Sequence, residues 1–141
     1  MPEWLRVMLS RPGEPATPLS RYTVANGFLY IVMGLTFFAA PALMVFLPDV
    51  DPFQGVEEGL VRVLGFTITI IGWFYIFGGR TNADSFGLAT VGDRLLVPLF
   101  LVPLAITGQI PVSLAAAFSV LDPVLGIGAY VVWRRQRAAT P

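Results

Sequence analysis

Few side chains in this sequence can do chemistry, and two of them lie where charge is least expected. Asp122 sits inside the apolar stretch 110–133, and Arg94 inside the apolar stretch 86–107. Asp122 lies eleven residues before Trp133 and twelve after Ile110. At ~1.5 Å per helical residue, its carboxylate is roughly 17 Å from either end of the helix. A charge at that depth in a bilayer is costly, and by default it marks a functional residue with a partner. Arg94 is the candidate partner. In a helix starting near Phe86 it is ~12 Å deep, and in an antiparallel neighbour it differs in height from Asp122 by only ~5 Å, which a guanidinium side chain spans. If the helix instead starts at Leu95, with Asp93 as its N-cap, the arginine lies at the interface and the span is short. An intramembrane ion pair of Arg94 with Asp122, structural in role, and a path for protons or substrate both fit these residues.

The remaining inventory is defined by what is missing. The chain has no cysteine and no histidine. Disulfides, structural zinc, thiolate iron–sulfur clusters and His-ligated haem or copper are excluded. So are the commonest general base and the thiol nucleophile. Carboxylates, Arg, Tyr, Ser and Thr are left, and they form no complete catalytic constellation; the reading is of a protein without catalytic residues or a metal site. Net charge is zero without a basic cluster, which argues against nucleic acid as a partner.

Four elements must position these groups. Of the 141 residues, 55% are hydrophobic and 13% charged, about half the charge of an ordinary soluble domain. With a mean hydropathy of +0.73 the chain is too apolar to cover itself with polar surface. Four blocks, at about 22–47, 59–78, 86–107 and 110–133, each supply the roughly 20 residues of a spanning helix. The fold expected is all-α: an integral membrane, up-down-up-down four-helix bundle over 22–135, preceded by an interfacial helix and Pro-rich linker (1–21) and followed by a tail (136–141). In residues 2–10, Trp4, Leu5 and Met8 share one helical face, as an interfacial anchor requires. Residues 11–18 hold three prolines, Pro12, Pro15 and Pro18, so this linker cannot be helical throughout. Arg6, Arg11 and Arg21 precede the first span, Arg80 lies in the middle loop, and Arg134, Arg135 and Arg137 follow the last. The loop 48–58 is acidic. The positive-inside rule therefore puts both termini and the middle loop in the cytoplasm.

Small residues mark how the helices pack, since lipid gives no hydrophobic drive for their association. The fourth span carries Ala115, Ser119, Asp122, Gly126 and Ala129 on one stripe. The second carries Arg62, Gly65, Thr69 and Gly72. The first has Gly27, Gly34 and Pro41 at seven-residue spacing. These stripes serve either the bundle itself or an interface with a partner. Pro98, Pro103 and Pro123 interrupt the last two spans, either as kinks or as the broken helices found at transporter sites.

The landmarks Arg62, Gly72-x-x-Tyr75, Arg80, Gly92-Asp-Arg94, Asp122 and the terminal Arg134-Arg135, set in this topology, resemble those of small bacterial four-helix membrane proteins of the broad DoxX-like kind. The resemblance covers about residues 22–135, and some members are implied to be subunits of quinone-linked oxidoreductases. The expected function is a non-catalytic accessory or structural subunit docked to a larger membrane complex, such as an electron-transfer or photosynthetic one. Its partners would then be the lipid bilayer and other membrane subunits. Two alternatives stand beside it: a small carrier or channel using Arg94 and Asp122, and a lipid- or quinone-handling enzyme subunit. No cofactor is demanded, although the aromatic content leaves room for an apolar ligand such as a quinone, carotenoid or lipid.

Overall fold

A computed structural model of the chain describes residues 1–10 and 13–139. The parts of the linker and the tail at 11–12 and 140–141 lie outside the described residues. Among the described residues five α-helices follow one another: α1 (Glu3–Leu9), α2 (Pro18–Ala39), α3 (Glu57–Gly79), α4 (Asp84–Ile106) and α5 (Val112–Ala138). The last four are long and apolar enough to cross a membrane. Large apolar side chains such as Phe28, Phe66, Phe74, Leu99 and Phe100 stand on the outside, a surface that suits lipid rather than water.

The helix ends follow local chemistry. Thr17 caps α2 by accepting the Ser20 N–H (3.1 Å), and Pro18 takes the first helical position, where its missing N–H costs nothing. The first span thus begins before residue 22. It also ends before residue 47, because Pro41 has no N–H to donate and the chain tightens into a 3₁₀ segment at Pro41–Phe46. Arg62 closes this end, donating to the Phe38 carbonyl (2.6 Å) and pairing with Glu58 (2.7 Å). Pro98, Pro103 and Pro123 lie inside continuous helices, so they do not break α4 or α5.

Glycine fixes the first helix pair. Gly27 faces Gly72 and Gly34 faces Gly65, so the residue numbers run in opposite senses along α2 and α3. A Cβ on Gly72 would lie 2.6 Å from the Gly27 carbonyl oxygen, and one on Gly65 equally close to that of Gly34. The two backbones therefore touch, and the small stripes of the first and second spans are consumed within the chain. Helices α4 and α5 form the second extensive pair, and α2 carries most of the contact between the pairs. Helices α3 and α4 touch sparsely.

Both ends of the bundle are tied by hydrogen bonds. At one end Asn82, in a left-handed turn conformation (φ 57°), accepts from Thr17 N–H and donates to the Pro15 carbonyl. Arg80 donates to Leu9 at the end of α1 (2.7 Å), and Asp84 accepts from Trp133 and Gln136. The N-terminal segment, the α3–α4 turn and the end of α5 thus share one end. At the other, Asp49 accepts the Val112 N–H (2.6 Å) and the Ser113 N–H, capping α5 from a distant loop.

Two predictions follow from these contacts. Gly72→Ala should cost about 1–3 kcal/mol through overpacking. Gly92→Ala should be neutral or gain up to about 1 kcal/mol of helix propensity, since nothing lies within 4 Å of a Cβ there. Thermal unfolding in detergent compares them, and a neutral Gly72→Ala would contradict the backbone contact. The second concerns Asp49. The Ser113 side chain beside it, with the Ser113 and Val112 N–H groups, holds its carboxyl below the usual carboxylate range. A carboxyl that ionises more readily when folded contributes stability above its unfolded pKa, and that stability is lost as pH falls through the lower, folded value. The melting temperature of the wild type should therefore fall more steeply than that of Asp49→Ala on acidification below about pH 4. Parallel acid limbs would show that the cap contributes nothing.

Candidate functional site

The glycine contact that joins α2 to α3 also sets two tyrosines side by side. Tyr30 lies between Gly27 and Gly34 on the same face of α2, and Tyr75 lies one turn beyond Gly72 on α3. Their rings meet edge to face, with centroids 5.4 Å apart. Both are about 95% buried, and both hydroxyls reach the α4–α5 pair. The Tyr30 hydroxyl donates to the Asp122 carboxylate on α5. The Tyr75 hydroxyl donates to Asp93 on α4 (2.6 Å). Each of the four long helices thus contributes at least one member of a single polar cluster.

Arg94 occupies its centre. It is 1% exposed, and its guanidinium carbon lies 4.7 Å from the Tyr75 ring centroid and 5.5 Å from that of Tyr30. A desolvated guanidinium over an aromatic face gains about 2 kcal/mol. Among the described residues its three nitrogens meet no protein acceptor in hydrogen-bond geometry, although Tyr30 and Asp122 are near enough for charge to act between them. Helix α4 begins at Asp84, so Arg94 is ten residues in, or ~15 Å along the helix. This is the deep placement, and it removes Asp93 as an N-cap.

The direct Arg94–Asp122 ion pair expected from the sequence does not form. Among the described residues the one pair within 4.0 Å is Arg62 with Glu58. The physical reason is Tyr30, whose hydroxyl takes the Asp122 carboxylate while its ring lies under the guanidinium. Arginine and aspartate are thus linked through a phenol.

The stripe residues of the fourth span also face inward. Ala115 and Ala129 are buried, Ser119 is half-buried, and Gly126 backs onto Arg94, with a Cβ there 3.4 Å from the arginine's own. On α3, Thr69 returns its hydroxyl to the Gly65 carbonyl (2.9 Å) while packing under Gly34. As surfaces for a partner, Gly65, Thr69, Gly72, Ala115, Gly126 and Ala129 are already occupied by the chain. The open surface is elsewhere. Asp93 and Gly92 are exposed, and α4 has no buried residue after Arg94. On α1, Leu5 and Met8 are half-buried while Trp4 stands exposed.

Chemically the cluster offers two carboxylates, two phenols and a guanidinium, sealed on most sides. Among the described residues no three His, Cys, Asp or Glu side chains gather as a metal site. Nothing in the sequence marks Tyr30 as a site residue beyond its place on the glycine face, three residues from Gly27 and four from Gly34. Comparison with protein-family models, with curated proteins and with solved structures finds no match to this chain.

Tyr30→Phe leaves the Asp122 carboxylate without its donor and should cost about 1–3 kcal/mol. A double-mutant cycle of Tyr30→Phe with Asp122→Asn should show a coupling of roughly 0.5–3 kcal/mol in thermal stability. The cycle of Arg94→Gln with Asp122→Asn should couple less. The reverse order would restore the direct ion pair.

Proposed function

We propose that this protein crosses the inner membrane of a bacterium four times, up-down-up-down, and serves as a non-catalytic accessory subunit docked to a larger membrane complex along α4. The observation that carries this reading is the exposed Asp93 in the middle of an apolar span. An aspartate facing lipid at the centre of a helix costs about 2.5–3.5 kcal/mol on insertion scales. Such residues face a bundle interior, a water-filled cavity or another protein. The neighbourhood of Asp93 suits a protein. Gly92 beside it leaves open space for a close-packed helix, and the most apolar stretch of α4 is 11% buried within the chain, against 22–28% for the other three long helices. The polar cluster supports a structural rather than a catalytic use of its members, because both hydroxyls are committed to carboxylates. The likeness to DoxX-like proteins belongs to this reading, since its landmarks Tyr75, Asp93, Arg94 and Asp122 meet in the cluster.

The orientation proposed puts both termini and the α3–α4 turn in the cytoplasm. It is supported by the hydrogen bonds that bring these segments to one end, together with Arg6, Arg21, Arg80, Arg134, Arg135 and Arg137. A second reading is favoured by one observation, the unpartnered N–H groups of Arg94. They would suit a small acceptor such as a quinone carbonyl or a carried anion.

Two measurements test the proposal. Reporter fusions at Glu57 and at the C-terminus should report opposite compartments, and the same compartment for both would contradict the four-span topology. Gly92→Leu and Asp93→Asn should release the protein from partners in native gels with little change in thermal stability for Gly92→Leu. A wild type that migrates alone and transports a solute in liposomes would replace the accessory reading with the carrier one.

A further inference from the structure

At the end shared by the termini, the linker folds back over α2 and α3 and encloses a groove of about 560 Å³. Its outer wall is the linker, at Glu14, Pro15 and Ala16. Its inner wall changes character with depth. Near the end of the bundle it presents Arg21 and Arg80; further along the helices it presents Val24, Phe28 and Ile76. Phe28 is 58% exposed on the apolar outside of α2, so the groove runs into the surface that meets lipid.

The other polar groups in the groove are already committed. Ser20 donates its hydroxyl to the Gly79 carbonyl, and the Asn82 amide is used at both ends by the linker. The N–H groups opening α2 are spoken for as well, at Leu19 by Gln136 and at Ser20 and Arg21 by Thr17. What remains available is guanidinium. The Arg21 side chain is exposed and, among the described residues, makes no hydrogen bond or ion pair. Arg80 spends one nitrogen on Leu9, while its Nε is buried without an acceptor among the described residues. Two positive side chains against the single carboxylate of Glu14 leave the groove cationic.

We propose that this groove seats an anionic phospholipid. Its phosphate lies between Arg21 and Arg80, the Arg80 Nε–H gains its missing acceptor, and one acyl chain runs along Val24, Phe28 and Ile76. Guanidinium forks suit phosphate oxygens, and the cytoplasmic leaflet supplies the anionic lipid. The apolar floor selects a lipid over a free phosphate, which would leave it uncovered. The proposal rests on the membrane orientation given above.

Native mass spectrometry of the protein released from mild detergent, with phosphatidylglycerol and phosphatidylethanolamine of matched acyl chains, tests it. Wild type should retain phosphatidylglycerol preferentially. Arg21→Gln should weaken that retention roughly fivefold, the effect of one basic residue near an anionic surface. Arg134→Gln, outside the groove, should leave it unchanged. Arg21→Gln alters an exposed side chain without partners, so its thermal stability should match the wild type, and it decides the matter even if Arg80→Gln loosens the linker. Equal retention of both lipids by the wild type, or undiminished retention by Arg21→Gln, would overturn the site. Displacement of the lipid by millimolar inorganic phosphate would reassign it to free phosphate and overturn the lipid. The reporter fusions read orientation independently, so a failed lipid assay with intact topology removes this site alone.

Discussion

The interaction on which the structure depends is the hydrogen bond from Tyr30 to Asp122, with Arg94 lying over the ring that makes it. In lipid, helices gain nothing from hydrophobic association, and a buried polar group without a partner is expensive. A carboxylate on α5 and a guanidinium on α4 therefore determine which faces of the bundle point inward. Tyrosine suits the task because it is apolar for most of its length and polar at its tip. Tyr30 reaches from the α2–α3 pair to α5, and Tyr75 reaches to α4. Contact between the two helix pairs is otherwise carried mainly by α2, so these two phenols fix how the pairs meet.

The tyrosines can do this only because glycine brings their helices together. The Gly27–Gly72 and Gly34–Gly65 contacts place the α2 and α3 backbones in van der Waals touch, and the rings of Tyr30 and Tyr75 meet as a result. Close packing on this side has a counterpart on the other. Helix α4 packs extensively on α5 but buries fully just Gly87, Thr90 and Arg94, with no buried residue beyond Arg94. The same cluster that binds α4 to the bundle leaves Asp93 at its margin, with Tyr75 as its hydrogen-bond donor. The accessory-subunit reading grows from this asymmetry, in which the apolar stretch of α4 is about half as buried as those of the other three long helices and carries an exposed carboxylate.

Much of this was legible in the sequence, and the parts that were not share a cause. The four apolar blocks marked the four long helices, because span length and hydropathy are local properties. Their ends shifted where a cap or a proline acts at a single residue, as at Thr17 and Pro41. Asp122 declared itself by its depth, and the seven-residue glycine spacing announced a close helix contact. The sequence did not show that Gly27 would meet Gly72, which is a matter of register between helices. It also did not show that a phenol would stand between Arg94 and Asp122. Tyrosine looks like one more aromatic in an apolar span until the carboxylate that accepts its hydrogen bond is placed opposite. Charge spacing suggested a direct pair, whereas the geometry of the rings made an indirect one. The linker groove was equally hidden, since it arises only when Asn82 and Arg80 draw the segment before α2 onto the end of α3.

In the accessory role proposed for the protein, the α4 surface around Asp93 is covered in the membrane by another polypeptide. The most direct measurement places a photo-crosslinking amino acid at Gly92, with Val120 on the exposed side of α5 as the control, and identifies the adducts formed in native membranes. A discrete protein adduct is expected from position 92 and lipid adducts from position 120. Lipid adducts from both positions would contradict it.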